Sequence, residues 1–157
     1  MGVYSKFKSA KASGGARNYL EEGNHRLLIN QVTIDKSRQG IEFFAVNATT
    51  HETDSTMVSM QPGRPQDWMT MADKDAYAGN VKQFVGAAFN ITEAAIDEMT
   101  DPEFEEMMDL LVGQHQGCAG RYIDCNVKEV TTLKGGKFNA VRWMAAPDEI
   151  QPGNEEG

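Results

Sequence analysis

The feature that most constrains the fold is the order in which the hydrophobic periodicity changes along the chain. From His25 to Met60 apolar and polar residues alternate with a period of two, as β-strands do. Between Val81 and Leu111 the apolar spacing becomes that of amphipathic helices, and after Arg121 the period returns to two. With 157 residues the chain is long enough for one domain. It is therefore predicted to place strands, then helices, then strands around one core.

Turn residues divide the alternating segments into individual strands. Glycine-containing basic turns at Ser37–Gly40 and Leu133–Lys137 each separate two strands, and Gln61–Pro65 ends a third. The five predicted strands are His25–Lys36, Ile41–Thr50, His51–Met60, Arg121–Lys128 and Phe138–Met144. Three strands, a helical insertion and two strands is the order of a five-stranded oligonucleotide-binding (OB) barrel.

The helical insertion has its own start and stop signals. Val81, Phe84, Val85 and Ala88 form one apolar stripe, which Asn90–Glu93 terminates with a capping pattern. Asp101–Pro102 then opens another helix, with Asp101 expected as the cap. We expect three regions: a flexible basic arm over 1–18, the OB domain over 19–146 and a disordered acidic tail over 147–157.

Charge is unevenly distributed along the sequence. Residues 1–45 carry 7 basic and 4 acidic side chains, residues 46–110 carry 3 and 13, residues 111–146 carry 5 and 2, and the tail carries 4 acidic ones, for a net −8. The basic excess lies in the segments that hold the two predicted hairpins. An electropositive surface of this kind suits a phosphate backbone.

Strand alternation separates candidate ligand-binding residues from the core. Phe43 is expected to face outward and its neighbour Phe44 inward, and Trp143 is assigned to the core with Val141. Single-stranded nucleic acid is held by cations along its phosphates and by aromatics stacked on its bases. The predicted DNA-binding residues are Arg26, Lys36, Arg38, Phe43, Tyr122, Lys128, Lys134, Lys137, Phe138 and Arg142.

Sequence signatures of other protein classes are missing. There is no Walker-type phosphate loop, no G-x-S-x-G and no H-E-x-x-H, so no enzyme and no cofactor is predicted. His115 and Cys118 have a zinc-like spacing but lack two nearby ligands, so no metal is predicted. Cys118 and Cys125 are expected to be free thiols. The absence of a long apolar run or a secretory signal favours a cytoplasmic protein without a membrane partner.

Several short motifs resemble a known family. Glu22–Ile29, Lys36–Gly40, Glu42–Phe44, Asn80–Phe84 and Lys134–Phe138 resemble a family of small tailed-phage proteins that are encoded among replication genes and called single-stranded-DNA-binding proteins. The resemblance implies an OB fold that coats single-stranded DNA during phage DNA replication or recombination in the host cytoplasm. It also implies that the acidic end contacts replication or recombination proteins.

A function of another class remains open. The carboxylates of residues 93–109 form a run that usually marks a solvated helix surface. Such a surface also suits a protein-interaction or assembly module, in which the basic hairpins are incidental. Binding of single-stranded DNA separates this alternative from the leading hypothesis.

Overall fold

The computed structural model describes residues 17–18 and 20–151 of the chain. It is a mainly β structure with one antiparallel sheet and three helices. The strands are β1 (Arg17–Asn18), β2 (Gly23–Lys36), β3 (Glu42–Thr53), β4 (Pro65–Met71), β5 (Tyr122–Thr131) and β6 (Lys137–Ala145). The helices are α1 (Tyr77–Phe89), α2 (Glu93–Glu98) and α3 (Asp101–Val112), and short 3-10 turns lie at Val58–Met60 and Asp148–Ile150.

The sheet has the strand order β1-β4-β3-β2-β5-β6. Its centre is the long β2–β3 hairpin, in which Asn30 and His51 are extra residues that interrupt the register. Such bulges bend a strand and increase its twist. β5 pairs only with the first part of β2, from Gly23 opposite Val127 to Leu28 opposite Tyr122. Farther along β2, the Gln116 side chain accepts from the Val32 N–H at 2.8 Å and donates to the Val32 carbonyl at 3.0 Å.

The sequence predicts a barrel, but backbone hydrogen bonds between the described strands do not close the sheet into one. Within the described residues no backbone ladder joins β6 to β4 or β1. Instead α1 packs against both β4 and β6, and aromatic rings meet across the opening. Phe84 of α1 lies 6.1 Å from Trp68 of β4 and 5.0 Å from Trp143 of β6, measured between ring centroids. Side-chain packing replaces the ladder at this place.

The third predicted strand is wrong in position. Residues 51–53 complete β3, and the next strand is Pro65–Met71. The Pro/Gly segment before it is a connection that remains bonded to β3, because Gly63 N–H donates to the Thr50 carbonyl at 2.8 Å. Proline has no N–H to donate to the ladder, so within a sheet it is tolerated at the first position of a strand, where Pro65 lies. Gln66, Trp68 and Thr70 of β4 then point into the core.

The helices start and stop where backbone groups find partners. Asn90 caps the end of α1, and its left-handed φ of 57° lets its N–H reach the Gly86 and Ala87 carbonyls. The cap of α3 is Thr100, one residue before the predicted Asp101, and it forms a reciprocal capping box with Glu103. The apolar side of α3 is buried as the spacing predicts: Phe104, Met107, Met108 and Leu111.

The end of the described chain is folded against the sheet. The Gln151 side chain is buried, accepts from the Tyr122 N–H at 2.8 Å and donates to the Tyr122 carbonyl at 2.8 Å. Asp148 accepts from Asn90 at 2.8 Å. Residues 147–151 of the predicted tail therefore belong to the fold. The rest of that tail and residues 1–16 of the predicted arm lie outside the described residues. No helix within 20–151 is long and apolar enough to span a membrane.

Candidate nucleic-acid interface

One side of the sheet faces away from the core, and we call it the outer face. Burial alternates along each strand: Phe44, Cys125 and Trp143 point into the core, and their strand neighbours point out. The pairing of β5 with β6 then aligns the outward residues, with Asn126 opposite Arg142 and Val130 opposite Phe138. The predicted residues on the outer face are Arg26, Phe43, Tyr122, Lys128, Phe138 and Arg142.

The two basic hairpins lie at opposite ends of this face. β2 ends at Lys36 beside the turn that carries Arg38, whereas its beginning, Gly23, is opposite Val127 of β5. The second basic turn follows β5 beyond that point. The 14 residues of β2 span at most about 45 Å at ~3.3 Å per residue. Lys36 and Arg38 are thus separated from Lys134 and Lys137 by the length of the sheet, with the outer face between them.

The second hairpin projects from the body of the sheet. We call residues 128–140 the β5–β6 arm, because in this range β5 and β6 pair with each other and β5 no longer pairs with β2. Lys128 and Lys134 are exposed, and Lys137 lies 3.7 Å from the Glu129 carboxylate. Phe138 is 38% exposed beside them. The arm therefore presents three ammonium groups and an accessible aromatic ring.

Arg26 has a different environment from the other predicted cations. Its guanidinium donates to both carboxylate oxygens of Asp124, at 2.8 and 3.0 Å, and lies 3.6 Å from Glu52. The hydrogen bond with Asp124 raises the pKa of Arg26. Arg26 and Asp124 are opposite each other on β2 and β5, so the pair joins two strands. Its charge is largely neutralised by protein carboxylates, which leaves less of it for phosphate.

An aromatic pair on the outer face includes a residue that sequence reasoning missed. The rings of His51 and Tyr122 lie 4.7 Å apart at an angle of 50°. His51 is the extra residue of the β3 bulge and is exposed, whereas Tyr122 is half-buried. The signal was available in the odd-numbered positions from Phe43 to Thr49, which share the outer side of β3 and which His51 continues at the bulge. The sequence prediction ended the strand at Thr50 and so lost it.

The middle of the outer face is rich in amides. Asn47 donates to Asp67 at 3.0 Å, Asn30 donates to Asn47 and Thr49, and Asn126 donates to Asn24. Nearby, hydrogen bonds from Asn24 lower the pKa of Asp54. A shallow cleft of about 270 Å³ lies between β2, β3 and β4, lined by Gln31, Thr33, Ala45, Asn47, Asp67 and Met69 among others. Cations are concentrated at the two ends, and polar neutral groups and carboxylates fill the centre.

The thiols and the histidine of the zinc-like motif lie in different environments. Cys118 and Cys125 are free and buried, and burial raises the pKa of Cys118 to about 12 and also raises the pKa of Cys125. His115 is exposed. No group of three or more His, Cys, Asp or Glu residues in the described part of the chain is arranged to hold a metal ion. The buried thiols are poor nucleophiles because the thiolate is the reactive form.

The acidic helices form a surface on the other side of the core. Exposed carboxylates follow α2 and α3: Glu93, Asp97, Glu98, Asp101, Glu103, Glu106 and Asp109. Lys82 of α1 is buried beneath them, 2.6 Å from Asp97 and 3.6 Å from Glu93. The carboxylates of α2 and α3 thus form an acidic surface, whereas Glu52 and Asp67 of the same acidic segment of the sequence lie on the outer face.

Comparison with known proteins adds no family to this description. A scan against protein-family models found no match, and a search of curated proteins found no matching sequence. Functional inference therefore rests on the chemistry of the outer face and of the acidic helices.

Proposed function

We propose that this protein binds single-stranded DNA along the outer face of its sheet, with little preference for sequence and without catalysis. The observation that carries the proposal is the alignment of Phe43, Tyr122 and Phe138 on a face bordered at both ends by basic hairpins. Each base stacked on an aromatic side chain contributes about 1–3 kcal/mol, and every base has a face to stack. Cations that follow the phosphates add affinity that does not depend on sequence.

The strand order supports an OB-type architecture for this proposal. Without the two-residue β1, the order β4-β3-β2-β5-β6 with helices inserted between β4 and β5 is compatible with a five-stranded OB barrel that is open between β4 and β6. OB folds are often only partly closed and bind oligonucleotides on one face, flanked by the loops after the first and fourth strands. In this chain those loops are the two basic turns.

The cations divide into two groups in the proposed complex. Phosphates on the arm side would be contacted by Lys128, Lys134, Lys137 and Arg142. Phosphates at the other end of β2 would be contacted by Lys36 and Arg38. Arg26 supports the surface mainly through Asp124 and contributes less to phosphate binding. The His51–Tyr122 pair joins the predicted aromatics as a stacking surface midway between the two groups.

The resemblance to tailed-phage single-stranded-DNA-binding proteins suggests the biological setting. A protein that coats single-stranded DNA without reading its sequence suits phage DNA replication or recombination in the host cytoplasm. Partner proteins of those processes would be recruited through the acidic end of the chain.

Binding of labelled poly-dT at several salt concentrations tests the proposal. Six hairpin and outer-face cations predict a slope of about −4 in a plot of log K against log salt, at ~−0.7 per phosphate on a single strand. Replacing both Lys134 and Lys137 by Ala should reduce the magnitude of this slope by about 1.4. The control is Lys74→Ala, an exposed lysine in the segment between β4 and α1. A flat salt response, or equal affinity for duplex DNA, would refute the proposal.

A further inference from the structure

The β5–β6 arm carries exposed apolar side chains as well as charge. Leu133 at its tip is fully exposed, at 109% of the reference area, and Phe138 is 38% exposed. Lys134 and Lys137 lie beside them in the same turn and strand. The arm thus offers apolar side chains together with two ammonium groups to a partner surface.

α3 presents the opposite charge around another exposed leucine. Leu110 is 43% exposed on the solvent side of the helix. Glu106 lies one turn before it and Asp109 immediately before it, and both are exposed. The other side of α3 is buried in the core. The sign of the charge complements the arm, and each surface has an apolar side chain within it.

The two surfaces of one copy lie near different ends of β2. The carbonyls of Val112 and Gly113, at the end of α3, accept from the Gln116 amide that also bonds to Val32 in the second half of β2. The arm, in contrast, projects beyond Gly23 at the start of β2. These positions on β2 are nine residues apart, which is at most about 30 Å at ~3.3 Å per residue. The arm and the end of its own α3 therefore lie near different ends of β2.

We propose that the β5–β6 arm of one copy docks on the Glu106–Leu110 surface of α3 in a second copy. The occupant is a second copy because both surfaces, opposite in charge, are present on every molecule and lie near different ends of β2. Two different patches meet, so the contact is head-to-tail and each addition leaves a free arm and a free α3 for the next copy. This association does not require DNA, and it can fail while the proposed DNA binding holds.

Sedimentation velocity of the full chain without DNA tests the contact. At an ionic strength of about 0.01 M the Debye length is ~30 Å, and charges across the interface attract; at about 1 M it is ~3 Å. The sedimentation coefficient should rise with protein concentration at the lower ionic strength and stay at the monomer value at the higher one. A chain that remains monomeric at both would overturn the proposal.

Charge exchange identifies the surfaces. Two double variants exchange the charges: one combines Lys134→Glu with Lys137→Glu, and the other combines Glu106→Lys with Asp109→Lys. Each should associate at least about tenfold more weakly than the native chain. An equimolar mixture should associate again, because the acidic arm of one fits the basic helix of the other. Lys74→Glu is the control and should behave as the native chain. Circular dichroism checks that each variant is folded.

Two results would contradict the assignment of these surfaces. A mixture that stays dissociated would show that the arm and α3 do not contact each other. Native-like association of either variant alone would place the interface elsewhere. Glu103 is left unchanged because it caps α3 through Thr100, and its loss would disturb the helix itself.

Discussion

Trp68 and Trp143 meet edge to face with their ring centroids 5.2 Å apart, although the strands that carry them are not hydrogen-bonded to each other. Neither indole N–H has a hydrogen-bond partner among the described residues. Edge-to-face aromatic pairs add about 0.5–1.5 kcal/mol beyond the area that they bury. β4 and β6 are thus held together by aromatic packing with Phe84 of α1.

Trp143→Ala should therefore lower the free energy of unfolding by about 3–5 kcal/mol, as truncation of a large buried aromatic does. The loss arises from the cavity and from the contacts with Trp68 and Phe84. Urea denaturation followed by circular dichroism measures it. Met144→Ala, at the next position of β6 and 38% exposed, is the matched control and should cost much less. Equal losses for the two variants would contradict the packing role.

Phe43→Ala and Phe44→Ala should separate binding from stability. Phe44 is fully buried and contacts Trp68 and Phe84, so its truncation should cost about 3–5 kcal/mol of stability. Phe43→Ala and Phe138→Ala should leave the fold largely intact and each weaken poly-dT binding by about 1–3 kcal/mol. Melting curves and DNA titrations of the three variants check this. If Phe43→Ala lost its fold, the assignment of Phe43 to the outer face would be wrong.

Asp124→Asn should have opposite effects on stability and on DNA affinity. The substitution removes the carboxylate that holds Arg26 at 2.8 Å, which should destabilise the sheet. It also leaves the guanidinium charge available, so poly-dT affinity should increase and the salt slope should steepen by about 0.7. Binding and melting of Asp124→Asn, Arg26→Gln and the double variant measure both effects. Unchanged DNA affinity in Asp124→Asn would place Arg26 outside the DNA path.

Two truncations should separate the tail from the fold. Removal of residues 152–157 deletes Glu155 and Glu156 and should tighten poly-dT binding at low salt only, because tethered carboxylates compete with phosphates until salt screens them. Removal of residues 147–157 also deletes Gln151 and its two bonds with Tyr122, so the melting temperature should fall. Titrations at two salt concentrations check the first effect. Identical low-salt affinities would exclude the tail from the mechanism.

Local periodicity was sufficient to predict most of the secondary structure. The strands on either side of both basic turns and the apolar sides of α1 and α3 follow from the period-two and helical patterns, because these patterns depend only on neighbouring residues. The inward position of Phe44 and Trp143 follows for the same reason. β4 was missed because a short strand that starts with proline resembles a loop when it is considered alone.

The sequence by itself determined the order of strands and helices, the basic hairpins and the acidic helical segment, since each depends on residues close together in the chain. Only the tertiary structure decided what these segments meet. It paired Arg26 with Asp124 across 98 positions, set His51 against Tyr122 through a bulge, and left β4 and β6 joined by Trp68 and Trp143. Such contacts depend on the register of distant strands, and a shift of one residue would reverse every side chain.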